Sequence, residues 1–249
     1  MKKLTRPFFY VALLFTVDVT YDLKAQACYL TRIIEANGDT ISLSYNGSNH
    51  ITSLGKNSVV KTNVNGHITE IIHDEASTKS FSRATYKYDN NNNLIEYEQF
   101  TGASATPAFI TKFTYNSFNQ LIESQSAVAV KLNYFYGYRV FIYLNTTTKN
   151  PTTIKAYSGD AHGKIGDPDE TITLTYDDKK TIGFPNPLDD FNPFTTHNVI
   201  SAKVAEVGIP PKTETFSYQY NTEGYPISKT EKENGHSYTT KYSFNCKSN

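Results

Sequence analysis

Tyr86-Lys87-Tyr88-Asp89-Asn90-Asn91-Asn92-Asn93-Leu94-Ile95-Glu96 is the stretch that decides how this chain folds. Two aromatic side chains share one parity, a run of turn-forming residues follows, and an apolar stretch resumes. That is strand, polar turn, strand. The motif recurs. Phe113-Thr114-Tyr115-Asn116 is followed by Leu121-Ile122-Glu123, and Tyr218-Gln219-Tyr220-Asn221 by Gly224-Tyr225-Pro226-Ile227. The anchors Tyr45, Tyr88, Tyr115, Tyr143, Tyr176 and Tyr220 are separated by 43, 27, 28, 33 and 44 residues. The shorter spacings suit one two-stranded unit, and the longer ones a unit with an insertion. Units of this kind stack in sequence order, each burying its apolar side against the next.

The flanking sequence reads the same way. Tyr238, Thr240, Tyr242, Phe244 and Cys246 share one parity, and Ser237, Thr239, Lys241, Ser243 and Asn245 the other. A period of two with one polar face is a half-buried strand. Turn signals recur at Asn37-Gly38, Asn46-Gly47, Asn65-Gly66 and Glu223-Gly224. Asn-Gly pairs supply the positive φ of two-residue hairpins. Only Ala202–Val207 invites a short helical turn. The expected fold is all-β: a single large antiparallel meander of repeated hairpins, rolled or closed into a barrel-like sheet, because a large sheet twists and curls. Pro185, Pro187, Pro193 and the pair Asp189-Asp190 oppose a central strand. They predict an exposed insertion over 185–194, held by Phe184, Phe191 and Phe194.

Residues 1–27 read as an export signal, leaving 28–249 as a single β-repeat domain. Lys2, Lys3 and Arg6 precede the apolar stretch Phe8–Val17, and Ala25-Gln26-Ala27 is a small-x-small cleavage pattern. Ten apolar residues are half of the ~20 that span a bilayer as a helix. No later segment is long enough either. The expected location is therefore the periplasm, the cell surface or the extracellular space. Of 24 basic and 24 acidic residues, four basic and two acidic ones lie in 1–27, which leaves 20 against 22. That balance lacks the basic excess of a nucleic-acid binder.

Two cysteines remain, Cys28 and Cys246. An even count in an exported chain favours a disulfide between them. The rival readings are an N-terminal lipid anchor on Cys28 and two unpaired thiols. Lipobox sequences usually carry Leu three residues before the cysteine, where this chain has Ala25.

The Tyr-x-Tyr-Asp/Asn pattern, with Leu-Ile five residues after the Asp or Asn, resembles the YD repeats of Rhs-type proteins. It is more similar still to a group of secreted β-repeat proteins of Gram-negative bacteria. Those begin with a cysteine near the cleavage site and carry a late segment like Tyr176-Asp177-Asp178-Lys179-Lys180. The resemblance covers most of 28–249. It implies a single rolled antiparallel sheet and supplies no activity.

Candidate chemical groups are sparse. His67 and His73 lie at an even offset but lack a third metal ligand. Asp89, Asn91 and Asn93 open like a calcium loop, yet Leu94 stands where Gly is required and Phe100 where Glu is required. Asp160, Asp167, Asp169 and Glu170 crowd one loop that reads as a charged loop or a weak calcium site. No Gly-x-Ser-x-Gly is present. No cofactor, resident metal or catalytic group is therefore expected. The run Tyr134–Tyr143 is aromatic or apolar on both faces, as in a strand covered on both sides. Its functional reading is an aromatic platform of Tyr134, Tyr136 and Tyr138 with Arg139 at the rim, for a glycan, peptide or lipid.

These features point to a noncatalytic binding or structural module of the cell envelope. The alternatives are a carrier of an apolar ligand inside the roll, or a hydrolase with carboxylates converging there. A filled apolar interior favours the first, an apolar cavity the second, and a cleft with convergent carboxylates the third. Mass spectrometry of the exported protein should find Cys28 as its first residue. A mature chain retaining 1–27 would refute the export reading.

Overall fold

The computed structural model describes residues 28–73, 81–130, 133–144, 150–158, 166–181, 197–233 and 235–246. Sixteen strands make up nearly all of it. The first five are β1 (Cys28–Ile34), β2 (Thr40–Tyr45), β3 (Ile51–Leu54), β4 (Ser58–Thr62) and β5 (Ile68–His73). Next come β6 (Phe81–Tyr88), β7 (Leu94–Thr101), β8 (Phe109–Tyr115), β9 (Leu121–Val130) and β10 (Asn133–Leu144). The remainder are β11 (Pro151–Ser158), β12 (Glu170–Lys180), β13 (His197–Glu206), β14 (Lys212–Tyr220), β15 (Pro226–Glu233) and β16 (His236–Cys246). No helix occurs among the described residues. Ala202–Val207 is not a helical turn: Ala202 and Val204 are buried and Lys203 is exposed, the period of a strand, and 202–206 lie in β13.

The strands form one antiparallel sheet in the order β3-β2-β1-β16-β15-β14-β13-β12-β11-β10-β9-β8-β7-β6-β5-β4. From β4 to β16 it is an uninterrupted meander. The chain then returns to its own beginning, because β1 pairs with β16 through Cys28↔Cys246, Leu30↔Phe244 and Ile33↔Tyr242. A disulfide joins Cys28 to Cys246. The sheet is rolled but not closed into a barrel. The hydrogen-bonded order ends at β3 and β4, neighbours in sequence across Gly55–Asn57. Ser58 Oγ ties that corner, accepting the Leu54 N–H at 2.8 Å and donating to the Leu54 carbonyl.

Direct cross-strand partners share a face. Ala84↔Gln99, Tyr86↔Tyr97 and Tyr88↔Leu94 face inward, while Lys87↔Glu96 and Thr85↔Glu98 face outward. The inner face carries a buried cluster that includes Leu30, Ile33, Ile71, Leu94, Tyr97 and Tyr242, drawn from both ends of the chain. A smaller cluster of Leu174, Val199, Ala202 and Phe216 serves β12 to β14. Ion pairs lace the outer face: Lys61–Glu70 at 2.6 Å, Lys87–Glu96 at 2.6 Å and Lys87–Glu98 at 3.4 Å. Exposed pairs of this kind contribute about 0–1 kcal/mol each.

The repeated motif has a physical cause at each of its letters. The tyrosine before the Asp or Asn reaches over the neighbouring strand and donates to a backbone carbonyl. Tyr45 bonds Leu30 O at 2.8 Å, Tyr88 bonds Ile68 O at 2.7 Å, Tyr115 bonds Leu94 O at 2.9 Å and Tyr176 bonds Pro151 O at 2.6 Å. Burial, with a smaller effect of the Tyr29 charge, pushes the Tyr45 hydroxyl up to about 12. Burial likewise raises Tyr115 and Tyr176, so these hydroxyls stay protonated and remain donors.

The Asp or Asn closes the turn. Asp89 Oδ1 accepts the N–H groups of Asn91 and Asn93, each at 2.8 Å. Asn63 and Asn116 accept in the same way at residues two and four further on. Asn46 repeats this at Ser48 and His50. Burial disfavours the Asp89 carboxylate, but hydrogen bonds from the Asn93 side chain and from the Asn93 and Asn91 backbones outweigh it and hold the carboxyl below its usual range. Asp89 is thus consumed by its turn.

These turns differ from the two-residue hairpins expected of Asn-Gly pairs. Each is a type I turn followed by a left-handed residue, as in three-residue hairpin loops. That residue is Asn49 (φ 62), Gly66 (φ 87), Asn92 (φ 64), Asn119 (φ 57) or Gly224 (φ 83). In Asn46-Gly47 the left-handed residue is therefore Asn49, not the glycine. Neighbouring turns are stitched by amides: Asn65 Nδ2 donates to Asn92 Oδ1 at 3.1 Å, and Asn93 Nδ2 to Asn119 Oδ1 at 3.2 Å.

Tyr86 provides an internal contrast. Its hydroxyl is buried without a hydrogen-bond partner among the described residues. Urea unfolding should show Tyr115→Phe losing on the order of 1 kcal/mol, because a hydroxyl is removed from a carbonyl it serves. Tyr86→Phe should be neutral or stabilising, since it removes only an unsatisfied group. Equal losses in the two variants would refute the anchor role.

Candidate functional site

The turn after Tyr176 departs from its copies. Asp177 Oδ1 accepts the Lys179 N–H at 3.0 Å, as the short turns do. The second N–H, however, comes from Asn198 at 3.1 Å, across a long insertion. Asn198 Nδ2 donates to Asp177 Oδ2 at 3.1 Å, matching Asn93 Nδ2 to Asp89 Oδ2 at 2.9 Å in the short copy. The insertion has been spliced into one repeat turn while its capping bonds persist.

Beside this opened turn lies a pocket of about 350 Å³ lined by Asn150, Thr152, Leu174, Tyr176, Asp177, Asp178 and His197. That is the low end of the range for small-ligand pockets. Asn150 is 1% exposed, and its Nδ2 lies 2.9 Å from His197 Nδ1. An amide nitrogen only donates, so Nδ1 accepts and the ring proton belongs on Nε2. Tyr220 donates its hydroxyl to Asp177 Oδ2 and receives Asn198 Nδ2 at 3.1 Å. Burial first, then the bond to Asp177, raises the Tyr220 hydroxyl well above its ordinary value.

Asp177 therefore accepts four donors and is spent on structure. Asp178 is exposed and pairs with Lys179 at 3.2 Å, and the Lys179 hydrogen bond, then its charge, lowers its pKa. Thr152 donates its hydroxyl to Tyr143 O at 3.1 Å. The lining supplies a held imidazole, an exposed carboxylate and an apolar floor at Leu174. Among the described lining residues, Asp177 is committed to its four donors and Asp178 is exposed beside Lys179, and no nucleophile stands beside an activating base.

Tyr134, Tyr136, Tyr138 and Arg139 lie in β10, with Tyr134↔Ala129, Tyr136↔Ala127, Tyr138↔Ser126 and Arg139↔Gln125 in the ladder. Their side chains lie outside the described residues, as does the insertion 185–194. His67 and His73 do not share a strand. His67 sits in the turn before β5, half-buried, its ring 5.1 Å from that of Tyr88, while His73 is exposed at the strand's end. Burial, then the nearby His50, lowers the pKa of His67. Asp169 accepts the Ser158 N–H and so ties its loop to β11. Two assumed anchors act otherwise. Tyr143 points outward at 47% exposure, and Tyr218 rather than Tyr220 bonds a backbone carbonyl, Val199 O at 2.9 Å. Nothing local in the sequence marked Asn150, His197 and Asn198, which meet across 47 residues.

No family model matches the chain, and no curated protein does. Among solved structures, the chain is similar to a porin-like protein from Bacteroides vulgatus. The TM-score is 0.61 at 12% identity, covering 87% of this chain and 99% of that one. A porin-like protein from Bacteroides uniformis gives 0.52 at 13% identity, over 88% and 95% of the two chains. The TcdB2-TccC3-Cdc42 structure aligns with 81% of this chain and 12% of that one, with a TM-score of 0.38 and 15% identity. The first two likenesses establish a shared all-β fold.

Asp177→Ala should lower stability by about 2–3 kcal/mol in urea unfolding, because several buried donors lose a charged acceptor. Asp178→Ala should change it by less than about 0.5 kcal/mol, as expected of an exposed position. A small loss for Asp177→Ala would return Asp177 to the candidates for chemistry.

Proposed function

We propose that this chain is an exported protein of the cell envelope that serves as a noncatalytic structural or binding module. The observation that carries this reading is the filled apolar interior. Side chains from β1, β2 and β16 pack against those from β4 to β10 in one cluster. Polar groups near it are largely committed to turns, caps and carbonyl anchors. A disulfide between the first and last strands agrees with an oxidising compartment. It also occupies the Cys28 sulfur, so a lipid thioether there would have to replace it.

Polarity favours a module in water over a lipid-facing pore. A transmembrane barrel turns an apolar band outward and a polar face inward. Here the outward positions Lys61, Glu70, Lys87, Glu96 and Glu98 of β4 to β7 are ion-paired, and the inward positions of those strands include the buried Val60, Ile71, Tyr86, Leu94 and Tyr97. No helix among the described residues is long and apolar enough to cross a membrane. Cell fractionation should place the processed protein in the envelope or medium. Native mass spectrometry of the purified mature protein should give the mass of the polypeptide alone. A stoichiometric extractable lipid would instead establish the carrier alternative.

A further inference from the structure

We propose that the ends of the chain form a redox-gated zinc site, made of Cys28, Cys246 and Glu223 and available once the disulfide is reduced. The two cysteines are direct cross-strand partners, so both sulfurs leave the sheet on the same side. Glu223 arrives from the turn between β14 and β15. Asn221 Oδ1 accepts the Tyr225 N–H at 2.8 Å, Gly224 adopts φ 83, and the Tyr225 ring lies 5.4 Å from that of Phe244. Phe244 and Cys246 share one parity of β16, so this contact holds the turn against the disulfide. The two sulfurs and a Glu223 carboxylate oxygen lie within 4.8 Å of one another. Cys28 is fully buried, Cys246 is half-buried, and Glu223 is exposed, which leaves an entry path.

The chemistry requires a reductant, here a dithiol. Its two thiols give two electrons and two protons to the disulfide. The protein's sulfur–sulfur bond breaks, both cysteines become thiols, and the dithiol becomes a disulfide. Zn²⁺ then binds both sulfurs and displaces their two protons to solvent. Tetrahedral zinc with Zn–S near 2.3 Å and Zn–O of about 2.0–2.2 Å sets its ligand atoms some 3.5–3.8 Å apart. Breaking the sulfur–sulfur bond frees both side chains to rotate toward that separation, since the two cysteines are direct cross-strand partners on one side of the sheet. Two thiolates make the site soft enough to prefer zinc over calcium or magnesium. Three protein ligands leave the fourth position open to water. A small-molecule disulfide reverses the step: it takes two electrons from the two thiolates, becomes two thiols by taking up two protons, releases Zn²⁺ and restores the Cys28–Cys246 bond.

The test uses mature protein, 28–249, first oxidised and then reduced anaerobically with dithiothreitol, which is removed. Zn²⁺ is titrated against a chromophoric chelator, and Co²⁺ is added separately to read thiolate-to-metal charge-transfer absorption. The reduced protein should bind one Zn²⁺ at least about 100-fold more tightly than the oxidised protein, since deprotonated thiols are the ligands. Its Co²⁺ complex should show the thiolate bands. Glu223→Gln, which leaves the disulfide and the turn in place, should weaken zinc by about 10–100-fold, the cost typical of losing a supporting group at a metal. If reduction unfolds the protein, refolding by Zn²⁺ supports the site, and failure to refold overturns it. Equal affinity in both redox states, absent thiolate bands, or unchanged binding by Glu223→Gln would each overturn it as well. None of these outcomes depends on whether the protein binds an extractable lipid.

Discussion

The pairing of the first strand with the last is the constraint on which the rest of this structure depends. A meander from β4 to β16 alone would expose β16 as a long free edge, and unpaired edges invite association with other chains. Returning β1 to β16 covers that edge and carries β2 and β3 beyond it. The remaining edges, β3 and β4, are four and five residues long and joined by a tight corner. The disulfide makes this return covalent across a sequence separation of 218. Restricting the unfolded chain that far contributes about 5 kcal/mol in the chain-entropy picture, an upper figure. The return also creates the core, because Leu30, Ile33 and Tyr242 reach Ile71 and Tyr97 only when the sheet has rolled.

Within that frame, one small device is reused. A tyrosine bridges back to a carbonyl of the preceding strand, and the following Asp or Asn caps a turn with a left-handed fourth residue. The tyrosine is useful because its ring buries apolar area while its hydroxyl satisfies a backbone acceptor. The Asp or Asn is useful because its side chain competes successfully for local N–H groups. Together they pin register, which matters because a slip of one residue would turn each apolar face outward. The same device explains why chemistry is hard to find. Asp89 opens like a calcium loop in sequence, but its oxygens are already occupied by its own turn, and Asn116 and Asp177 are committed in the same way.

How much was legible follows from the range of each interaction. Strand and turn positions were readable because parity and turn chemistry are local, and the neighbouring termini because only two cysteines exist. The turn type was not readable: Asn and Gly both tolerate positive φ, so the sequence cannot say whether Gly47 or Asn49 adopts it. Tyr143 and Tyr220 sit at anchor spacings, but Tyr143 is exposed and the Tyr220 hydroxyl bonds Asp177 instead of a carbonyl. The irregularity beside Tyr220 recurs beside Tyr45, Tyr88, Tyr115 and Tyr176 and does not set it apart. The pocket was invisible. Asn150 and His197 lie 47 residues apart and meet beside the Asp177 cap, a proximity that no local pattern encodes.

The two halves of the interior are built differently. Around β1 to β10 the inner face is dominated by apolar and tyrosine side chains. In β13 to β15 it also carries charge, because Ala202 pairs with Glu214, Val204 with Lys212 and Tyr218 with Lys229. Glu214 is 5% exposed and lies 2.9 Å from Lys212, and Lys229 is 8% exposed with its ammonium 4.9 Å from the Phe216 ring centre. Burying charge is costly unless it is paired, so these contacts add little net stability. Of these, only the Lys229 contact crosses strands and constrains pairing. A one-residue slip of β14 would send Lys212 and Glu214 outward and bring Thr213 and Thr215 inward. The smaller apolar cluster of this half penalises such a slip less than the larger cluster penalises one in β6 or β7. Lys212 and Glu214 pair along β14 itself and keep their ion pair in any register, so the register-dependent contact among these is Lys229 over the Phe216 ring, between β15 and β14.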